Sequence, residues 1–213
     1  MDFTDLMKER HSAIKFEKGI KIPESDIKDI YNEVKNSPSV FNLQPVKFLV
    51  VQDEVLKDKI YKLSNEQYKL HTASAIVLVL ANKNFAEESV TVYEPMKMLG
   101  MIDNDDYNNM ITTIDTWYSN MSDTEKVLEA QKNAMVFATS WLFASKNKGW
   151  DTCPMHIYNF DKLCDIFNIP NGTKNKEGYL PVLMIPMGKA DDAKIRKRGF
   201  RKPYFSAVSV DKF

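Results

Sequence analysis

The segment between Ser122 and Gly149 restricts most strongly what this chain can fold into. Ser122-Asp-Thr-Glu125 has the pattern of a capping box, in which the serine accepts from a free helical N–H and the glutamate reaches back. A helix is therefore predicted to run to about Lys148, with Gly149 as its C-terminal stop. Its middle, AMVFATSWLFA, is apolar on nearly every side. Such a helix needs cover on most sides, from a domain core or from a subunit interface.

Shorter patterns predict the other elements. Apolar residues at helical spacing predict helices over 2–9, 24–36, 56–63 and 161–167, the last with Asp161 as its cap. Strands are predicted over 46–51, 75–81 and 179–187, of which the second is apolar on both faces, as a central strand is. Pro181 and Pro186 place the third near an edge or at bends. Residues 84–121 are predicted to hold one helix and a mobile stretch.

The helices and strands segregate without strict alternation, which favours an α+β fold. The 213 residues contain no repeat and no flexible linker, so a single domain over residues 1–213 is predicted. Lys+Arg and Asp+Glu both number 29, so no net charge draws the protein to nucleic acid. The longest apolar strings are far shorter than the ~20 residues of a membrane helix. Two cysteines and a charged N-terminus favour the cytoplasm, without a membrane partner.

The common sequence motifs for nucleotide binding, metal binding and catalysis are absent. The chain has no G-x-G-x-x-G, no Walker A, no H-E-x-x-H and no C-x-x-C. Its three histidines are scattered, so no metal site is predicted. Cys153 and His156 could form a nucleophile pair, but they stand three residues apart with a proline between them, which disfavours that interpretation.

Three clusters of polar residues remain as candidates. Arg10, His11, Ser12 and Lys15 supply a guanidinium fork, a hydroxyl and an ammonium, which suit a phosphate. A solvated turn after the first helix is the alternative explanation. The third cluster, 196–203, is basic and follows the last strand. It is either a solvated tail or a segment that folds back onto the domain.

The second cluster, Ser37-Pro-Ser-Val-Phe-Asn-Leu-Gln-Pro45, is the most specific of the three. Its hydroxyls and amides stand in a loop fixed by prolines, just before a strand. Such groups can hydrogen-bond the edge of a heterocycle. Turn formation alone also accounts for this composition.

In order and spacing, these clusters resemble the nitroreductase family. The resemblance covers nearly the whole chain except about 84–121. The matching segments, in chain order, are RHSAIKF from Arg10, SPSVFNLQPVKF from Ser37, ASAIV from Ala73, GWDTCP from Gly149, LPVLMIPMG from Leu180 and RKP from Arg201. None of the six is decisive by itself, but six in order are hard to obtain by chance.

The resemblance implies a homodimer with a central mixed, mainly antiparallel sheet and a long interface helix. It also implies bound FMN and NADH or NADPH as electron donor. Flavin N5 would carry the chemistry in a ping-pong reaction with a nitroaromatic, quinone or similar acceptor, and no catalytic side chain is expected. Two rivals remain. One is a family member with another acceptor, such as a reductive dehalogenase or a flavin-consuming enzyme. The other is a flavin-binding protein without enzymatic activity.

The resemblance also implies which residues contact FMN. Those on the phosphate and ribityl side are Arg10, His11, Ser12 and Arg201. Those from the partner subunit that line the ring are Pro38, Ser39 and Asn42. Those that reach the pyrimidine or ribityl side are Gln67 and Lys69, and those that face N5 are Pro154, Met155 and His156.

The sequence departs from the family pattern at four places. Ile14 stands where a basic residue is usual, and Lys15 is the candidate replacement. Val46 stands where tryptophan is usual, and Ile157 stands where a glycine usually lets a backbone N–H approach N5. Gly199 stands where some members have lysine, so Arg198 or Lys197 is the candidate there.

Overall fold

A computed structural model describes residues 2–191 and 199–212 of the chain. Its strands are β1 (Val46–Val51), β2 (Ala75–Asn82), β3 (Asp151–Thr152) and β4 (Tyr179–Gly188), arranged in one sheet in the order β1-β2-β4-β3. Each of the three strand pairs is antiparallel, and single parallel bridges join Ser12 to Thr152 and Asn171 to Tyr179. The predicted α+β fold with a mixed, mainly antiparallel sheet is confirmed.

The helices surround this sheet. Their bounds are α1 (Phe3–Glu9), α2 (Glu24–Val34), α3 (Glu54–Leu63), α4 (Tyr68–Thr72), α5 (Glu88–Met98), α6 (Asn104–Ser119), α7 (Asp123–Asn147) and α8 (Phe160–Phe167). Short 3-10 turns occur at Val40–Asn42, Phe85–Glu87 and Tyr204–Ser206. These bounds agree to within a few residues with the sequence predictions for the strands β1, β2 and β4 and for the helices α1, α2, α3 and α7.

β2 lies at the centre of the sheet and is buried on both faces. Ile76, Leu78 and Leu80 pack into one apolar cluster with residues of α3, α4 and α8. Val77 and Val79 pack into a second cluster with residues of α2 and α7. β4 pairs with β2 along its length but with β3 only at its last two residues. β4 therefore lies next to the short edge strand β3, near the edge of the sheet as its prolines predict.

α7 has the predicted cap and two different faces. Ser122 Oγ accepts from the Glu125 N–H at 3.3 Å, and Glu125 Oε2 accepts from the Ser122 N–H at 2.8 Å. Phe137 and Trp141 are almost fully buried against the sheet. On another side, the apolar residues Leu128, Met135 and Val136 are 55%, 40% and 39% exposed.

The prediction for 84–121 was incomplete, because two helices form there. α5 and α6 pack on each other around Tyr93 and Ile114. The Asn- and Asp-rich stretch that suggests a loop begins α6, where the Asp103 carboxylate accepts from the Asp106 N–H. The residues between the two helices form an apolar, exposed tip, in which Leu99 and Met101 are 76% and 66% exposed.

The predicted cap of α8 was wrong. α8 begins after Asn159, which has a left-handed backbone and makes no side-chain cap. Asp161 instead accepts from Asn171 Nδ2 at 2.7 Å and pairs with Lys174 at 2.7 Å, because the loop before β4 returns beside it. The prediction of one domain over 1–213 stays a prediction, since residues 192–198 lie outside the described part of the chain.

The burial of β2 generates a stability prediction. Val79 is fully buried, whereas Val55 on α3 is 65% exposed. Val79→Ala should lower the free energy of unfolding by about 2–3 kcal/mol, through lost burial and the cavity left behind. Val55→Ala removes the same atoms and should change it by less than about 0.5 kcal/mol. Urea unfolding of both variants measures the difference, and equal losses would contradict the packing described for β2.

Candidate functional site

A pocket of about 530 Å³ lies where three segments that are distant in sequence meet. One segment follows α1, one forms the start of α4, and one follows β3. The volume falls within the range of small-molecule and cofactor sites, roughly 300–1,000 Å³. The lining residues are Ser12, Ala13, Ile14, Gln67, Tyr68, Lys69, Cys153 and Pro154. We call this cavity the β3 pocket.

Backbone hydrogen bonds fix the first segment. The Ala13 N–H donates to the Thr152 carbonyl at 3.0 Å, so this segment runs beside β3. The Phe16 N–H donates to Thr72 Oγ1 at 3.0 Å, and the Phe16 ring is fully buried. With Ala13 and Phe16 turned into the core, Ser12 and Ile14 are left exposed at the pocket.

A tight reversal between α3 and α4 places the second segment. Asn65 and Glu66 have φ values of 54° and 49°, in the left-handed region, and the Glu66 N–H donates back to the Tyr61 carbonyl. The chain then enters α4 with Gln67 and Lys69 at the pocket. No short pattern in the sequence specifies this reversal. It depends on how α3 and α4 pack against each other.

The third segment, which comes directly after β3, runs antiparallel to β4. The Cys153 N–H donates to the Pro186 carbonyl, and Met155 and Met184 exchange two backbone hydrogen bonds of 2.9 Å. Cys153 and Pro154 line the pocket. The Met155 side chain instead packs into the apolar cluster around β2, and His156 is exposed. Of the three residues predicted to face N5, only Pro154 therefore lines the pocket.

Lys15 does not line the pocket and forms an ion pair with Asp191 instead. Its Nζ lies 2.5 Å from Asp191 Oδ2, and the Asp191 N–H donates to the Lys15 carbonyl. The hydrogen bond and the negative charge of Asp191 raise the pKa of Lys15 above its ordinary value. Within this chain Lys15 thus joins the start of the chain to the segment after β4. The basic residue that lines the pocket is Lys69.

The predicted phosphate residues lie at two places. Arg10 is half-buried at the end of α1, directly before the pocket segment, and His11 Nδ1 lies 2.8 Å from the Glu9 carbonyl oxygen. Arg201 is exposed, and its Nη1 donates to the carbonyls of Gly199 and Phe200. Arg198 lies outside the described residues. Neither Arg10 nor Arg201 is among the residues that line the β3 pocket.

The loop predicted to line the ring belongs to a different cavity. Asn42 lines a second pocket, of about 430 Å³, together with residues of α2, α5 and α7. The two pockets share no lining residue. Pro38 is exposed and Ser39 half-buried, and neither lines the β3 pocket of its own chain. The role of this loop at the flavin of a partner subunit stays a prediction.

The structure adds residues that sequence reasoning missed. Ala13, Tyr68 and Cys153 line the β3 pocket. Cys153 stands within a matching family segment, which could have been a signal. Asn133 Oδ1 accepts from the Val40 N–H in the loop from Ser37 to Pro45. A polar amide within an otherwise apolar helix could have been a signal for this contact. Tyr93 contacts the same loop from a segment without any recognisable pattern.

Comparison with known proteins identifies the family of this chain. The Nitroreductase family model matches residues 7–189, and the chain belongs to the nitroreductase family. The chain is 35% identical over 202 residues to MhqN of Bacillus subtilis (strain 168), which is named provisionally as an NAD(P)H nitroreductase. That alignment covers 95% of each protein.

Solved structures share the whole fold. The crystal structure of ydfN from Bacillus subtilis, named provisionally as a nitroreductase, matches with a TM-score of 0.91 and 34% identity over 98% of each chain. A provisional nitroreductase from Exiguobacterium sibiricum, crystallised in complex with FMN, matches with a TM-score of 0.89. It is 23% identical and covers 99% of this chain and 98% of its own, so the likeness extends to the fold alone.

Residues 2–191 and 199–212 contain neither a candidate membrane helix nor a candidate metal cluster. None of the helices there combines the length and the apolar character needed to cross a membrane. Within the same residues, no three His, Cys, Asp or Glu side chains are grouped where they could hold a metal ion.

The two cysteines should differ in reactivity. Cys153 lines the pocket, whereas burial, together with Asp161 and Asp165, raises the pKa of the Cys164 thiol to about 11. Only about a thousandth of Cys164 is then thiolate at about pH 8, and the thiolate is the reactive form. Iodoacetamide should therefore label mainly Cys153 in protein stripped of small molecules. Peptide mass spectrometry measures this, with Cys153→Ala and Cys164→Ala as controls. Labelling mainly at Cys164 would contradict the assignment.

Proposed function

We propose that this protein is an FMN-dependent oxidoreductase that passes electrons from NAD(P)H to a small acceptor such as a nitroaromatic or a quinone. The observation that carries the proposal is the β3 pocket, which is lined by Ser12, Gln67, Lys69 and Pro154. These are four residues that the family resemblance implies for FMN. The FMN bound to the Exiguobacterium relative and the NAD(P)H in the name of MhqN support the same two cofactors.

The chemistry of the lining fits the ring of FMN. Ala13, Ile14 and Pro154 offer apolar surface to a flat heterocycle. The Gln67 amide offers both a donor and an acceptor, as the polar edge of the ring requires. The Lys69 ammonium stands on the same α4 turn and can stabilise negative charge that develops at that edge. These roles require no acid or base among the side chains.

The residues before the pocket suit the phosphate and ribityl end. Ser12 lines the pocket, and His11 and Arg10 precede it directly. A guanidinium fork next to a hydroxyl is a common arrangement for binding phosphate oxygens. We assign Arg201, and also Arg198, to the same phosphate. Lys15, held by Asp191, supports the chain next to this end rather than touching the ring.

When it is bound, FMN supplies the two-electron transfer between donor and acceptor. The protein binds and orients the ring, and of the three residues assigned to the reacting edge Pro154 is the one that lines the β3 pocket. Because the same open side of the β3 pocket would admit both NAD(P)H and the acceptor, we propose that they bind in turn. Double-reciprocal plots at several acceptor concentrations should then be parallel, and intersecting lines would indicate two separate sites.

We also propose that the protein is a homodimer. Leu128, Met135 and Val136 leave an apolar strip of α7 exposed on one chain. Within a single chain, Pro38, Ser39 and Asn42 do not line the β3 pocket. A second copy would cover the strip and bring these three residues to the flavin ring. Sedimentation equilibrium tests the assembly, and a stable monomer loaded with FMN would contradict it.

The cytoplasm is the location we propose. Cys153 and Cys164 are both free thiols, as is usual in a reducing compartment.

The absorption spectrum of the purified protein tests the proposed activity. The protein should bind one FMN per chain, and the visible flavin band should bleach when NADH or NADPH is added without oxygen. Heat release followed by chromatography identifies the flavin. FMN that binds but is not reduced would support the rival of a flavin-binding protein without activity. A colourless protein that ignores added FMN would contradict the cofactor assignment itself.

Arg10 and Arg201 generate a second test. Charge-assisted hydrogen bonds contribute roughly 1.5–3 kcal/mol each. Arg10→Ala and Arg201→Ala should each weaken FMN binding by about 10- to 100-fold, since 1.4 kcal/mol is a factor of ten. Lys8→Ala removes an exposed positive charge from the last turn of α1 and should change FMN binding by less than about twofold. Flavin fluorescence titration of the apo-proteins measures the FMN affinity of each variant. Parent-like affinity in both arginine variants would refute the phosphate assignment.

A further inference from the structure

The loop from Ser37 to Pro45 has an unusual backbone. Phe41, Asn42 and Gln44 have φ values of 46°, 53° and 49°, all in the left-handed region, and none of them is a glycine. Asparagine adopts this region readily, but a bulky residue such as phenylalanine does so only where the surroundings impose it. The loop conformation is therefore imposed by its contacts.

α7 holds the beginning of the loop. Asn133 Oδ1 accepts from the Val40 N–H at 2.7 Å, and Ser37 Oγ donates to Ser140 Oγ at 2.7 Å. The Asn133 amide is oriented in turn by two hydrogen bonds of 2.9 Å from its Nδ2 to Glu129. These contacts fix the residues before Phe41, but they do not reach Phe41 itself.

The two packed helices α5 and α6, residues 88–119, form a hairpin that holds Phe41. The Tyr93 hydroxyl on α5 donates to the Phe41 carbonyl at 2.9 Å, and the Tyr93 side chain is 8% exposed. Burial raises the pKa of Tyr93, so its hydroxyl stays a donor. Trp117 on α6 meets the Phe41 ring edge-on, with centroids 5.3 Å apart. The carbonyl that Tyr93 binds belongs to the peptide bond between Phe41 and Asn42, so this bond directly restrains the turn that presents Asn42.

We propose that Tyr93 is a positioning residue for the flavin site, which sets the loop that carries Pro38, Ser39 and Asn42. This inference rests on the proposed function, in which that loop lines the ring. Tyr93 acts through the Phe41 carbonyl and touches neither cofactor nor acceptor. The hairpin that carries Tyr93 lies within residues 84–121, where the sequence shows none of the six matching family segments, and it also lines the pocket beside Asn42. Changes in the hairpin would therefore reach the flavin through the loop.

Tyr118 provides a matched control on the same hairpin. Its hydroxyl donates to the Lys83 carbonyl at 3.1 Å, and the side chain is also partly buried. Tyr93→Phe and Tyr118→Phe each remove one hydroxyl that bonds to one backbone carbonyl. The two variants should lose similar thermal stability, but only Tyr93→Phe removes a contact to the loop.

Hydrogen–deuterium exchange of the protein without FMN measures the loop directly. The amides of Asn42 and Leu43 donate to the carbonyls of Ser39 and Val40, and they report on local opening. Their exchange should be about tenfold faster in Tyr93→Phe and parent-like in Tyr118→Phe. If Tyr93→Phe does not fold, Phe41→Leu weakens the Trp117 contact instead and should speed the same amides.

FMN titration then connects the loop to the cofactor. Tyr93→Phe should weaken FMN binding by about five- to tenfold and change the visible flavin spectrum, whereas Tyr118→Phe should stay within about twofold of the parent. Equal effects of the two variants on exchange and on FMN binding would overturn the inference. Faster exchange in Tyr93→Phe with parent-like FMN binding would also overturn it. A parent protein that binds no FMN would refute the proposed function instead, while the exchange data would still report on the Tyr93 contact.

Discussion

The fold depends on burying β2 on both faces. Side chains alternate across a strand, so a strand with seven consecutive apolar residues, Ala75–Ala81, exposes two apolar surfaces until both are covered. α2 and α7 cover one surface, and α3, α4 and α8 cover the other. The chain must therefore cross the sheet repeatedly. These crossings bring the segment after α1, the start of α4 and the end of β3 to one place, where the β3 pocket forms.

α7 connects the core to the proposed dimer and to the loop. Phe137 and Trp141 pack against the sheet, while Asn133 holds the Val40 N–H and Met135 remains exposed. The buried face fixes the helix rigidly, so the loop bound to it is fixed with respect to the sheet. In the proposed dimer, the exposed face would set the distance between this loop and the partner's flavin. One helix would then coordinate folding, assembly and cofactor geometry.

Sequence reasoning succeeded where the signal was local. The capping box of Ser122 and Glu125 depends on four consecutive residues, and its two backbone bonds are as predicted. It failed where the partner was distant. Asp161 has the right chemistry for a cap, yet its carboxylate binds Asn171 and Lys174, which only the folded loop brings near. The α5–α6 hairpin was missed in part. α5 contains a proline, and the many Asn and Asp residues of α6 suggested a loop although its apolar residues Tyr107, Met110, Ile111 and Ile114 stand at helical spacing.

The sequence by itself determined the α+β class, the central strand, the long capped helix and, through resemblance, the family and the residues proposed for FMN. It could do so because apolar periodicity and caps act over a few neighbouring residues. Only the tertiary structure decided that Ser12 and Lys69 line one pocket, that Lys15 turns to Asp191, and that Tyr93 holds Phe41. Those contacts join residues far apart in the chain. Their pairing follows from the packing of whole elements, which no local pattern encodes.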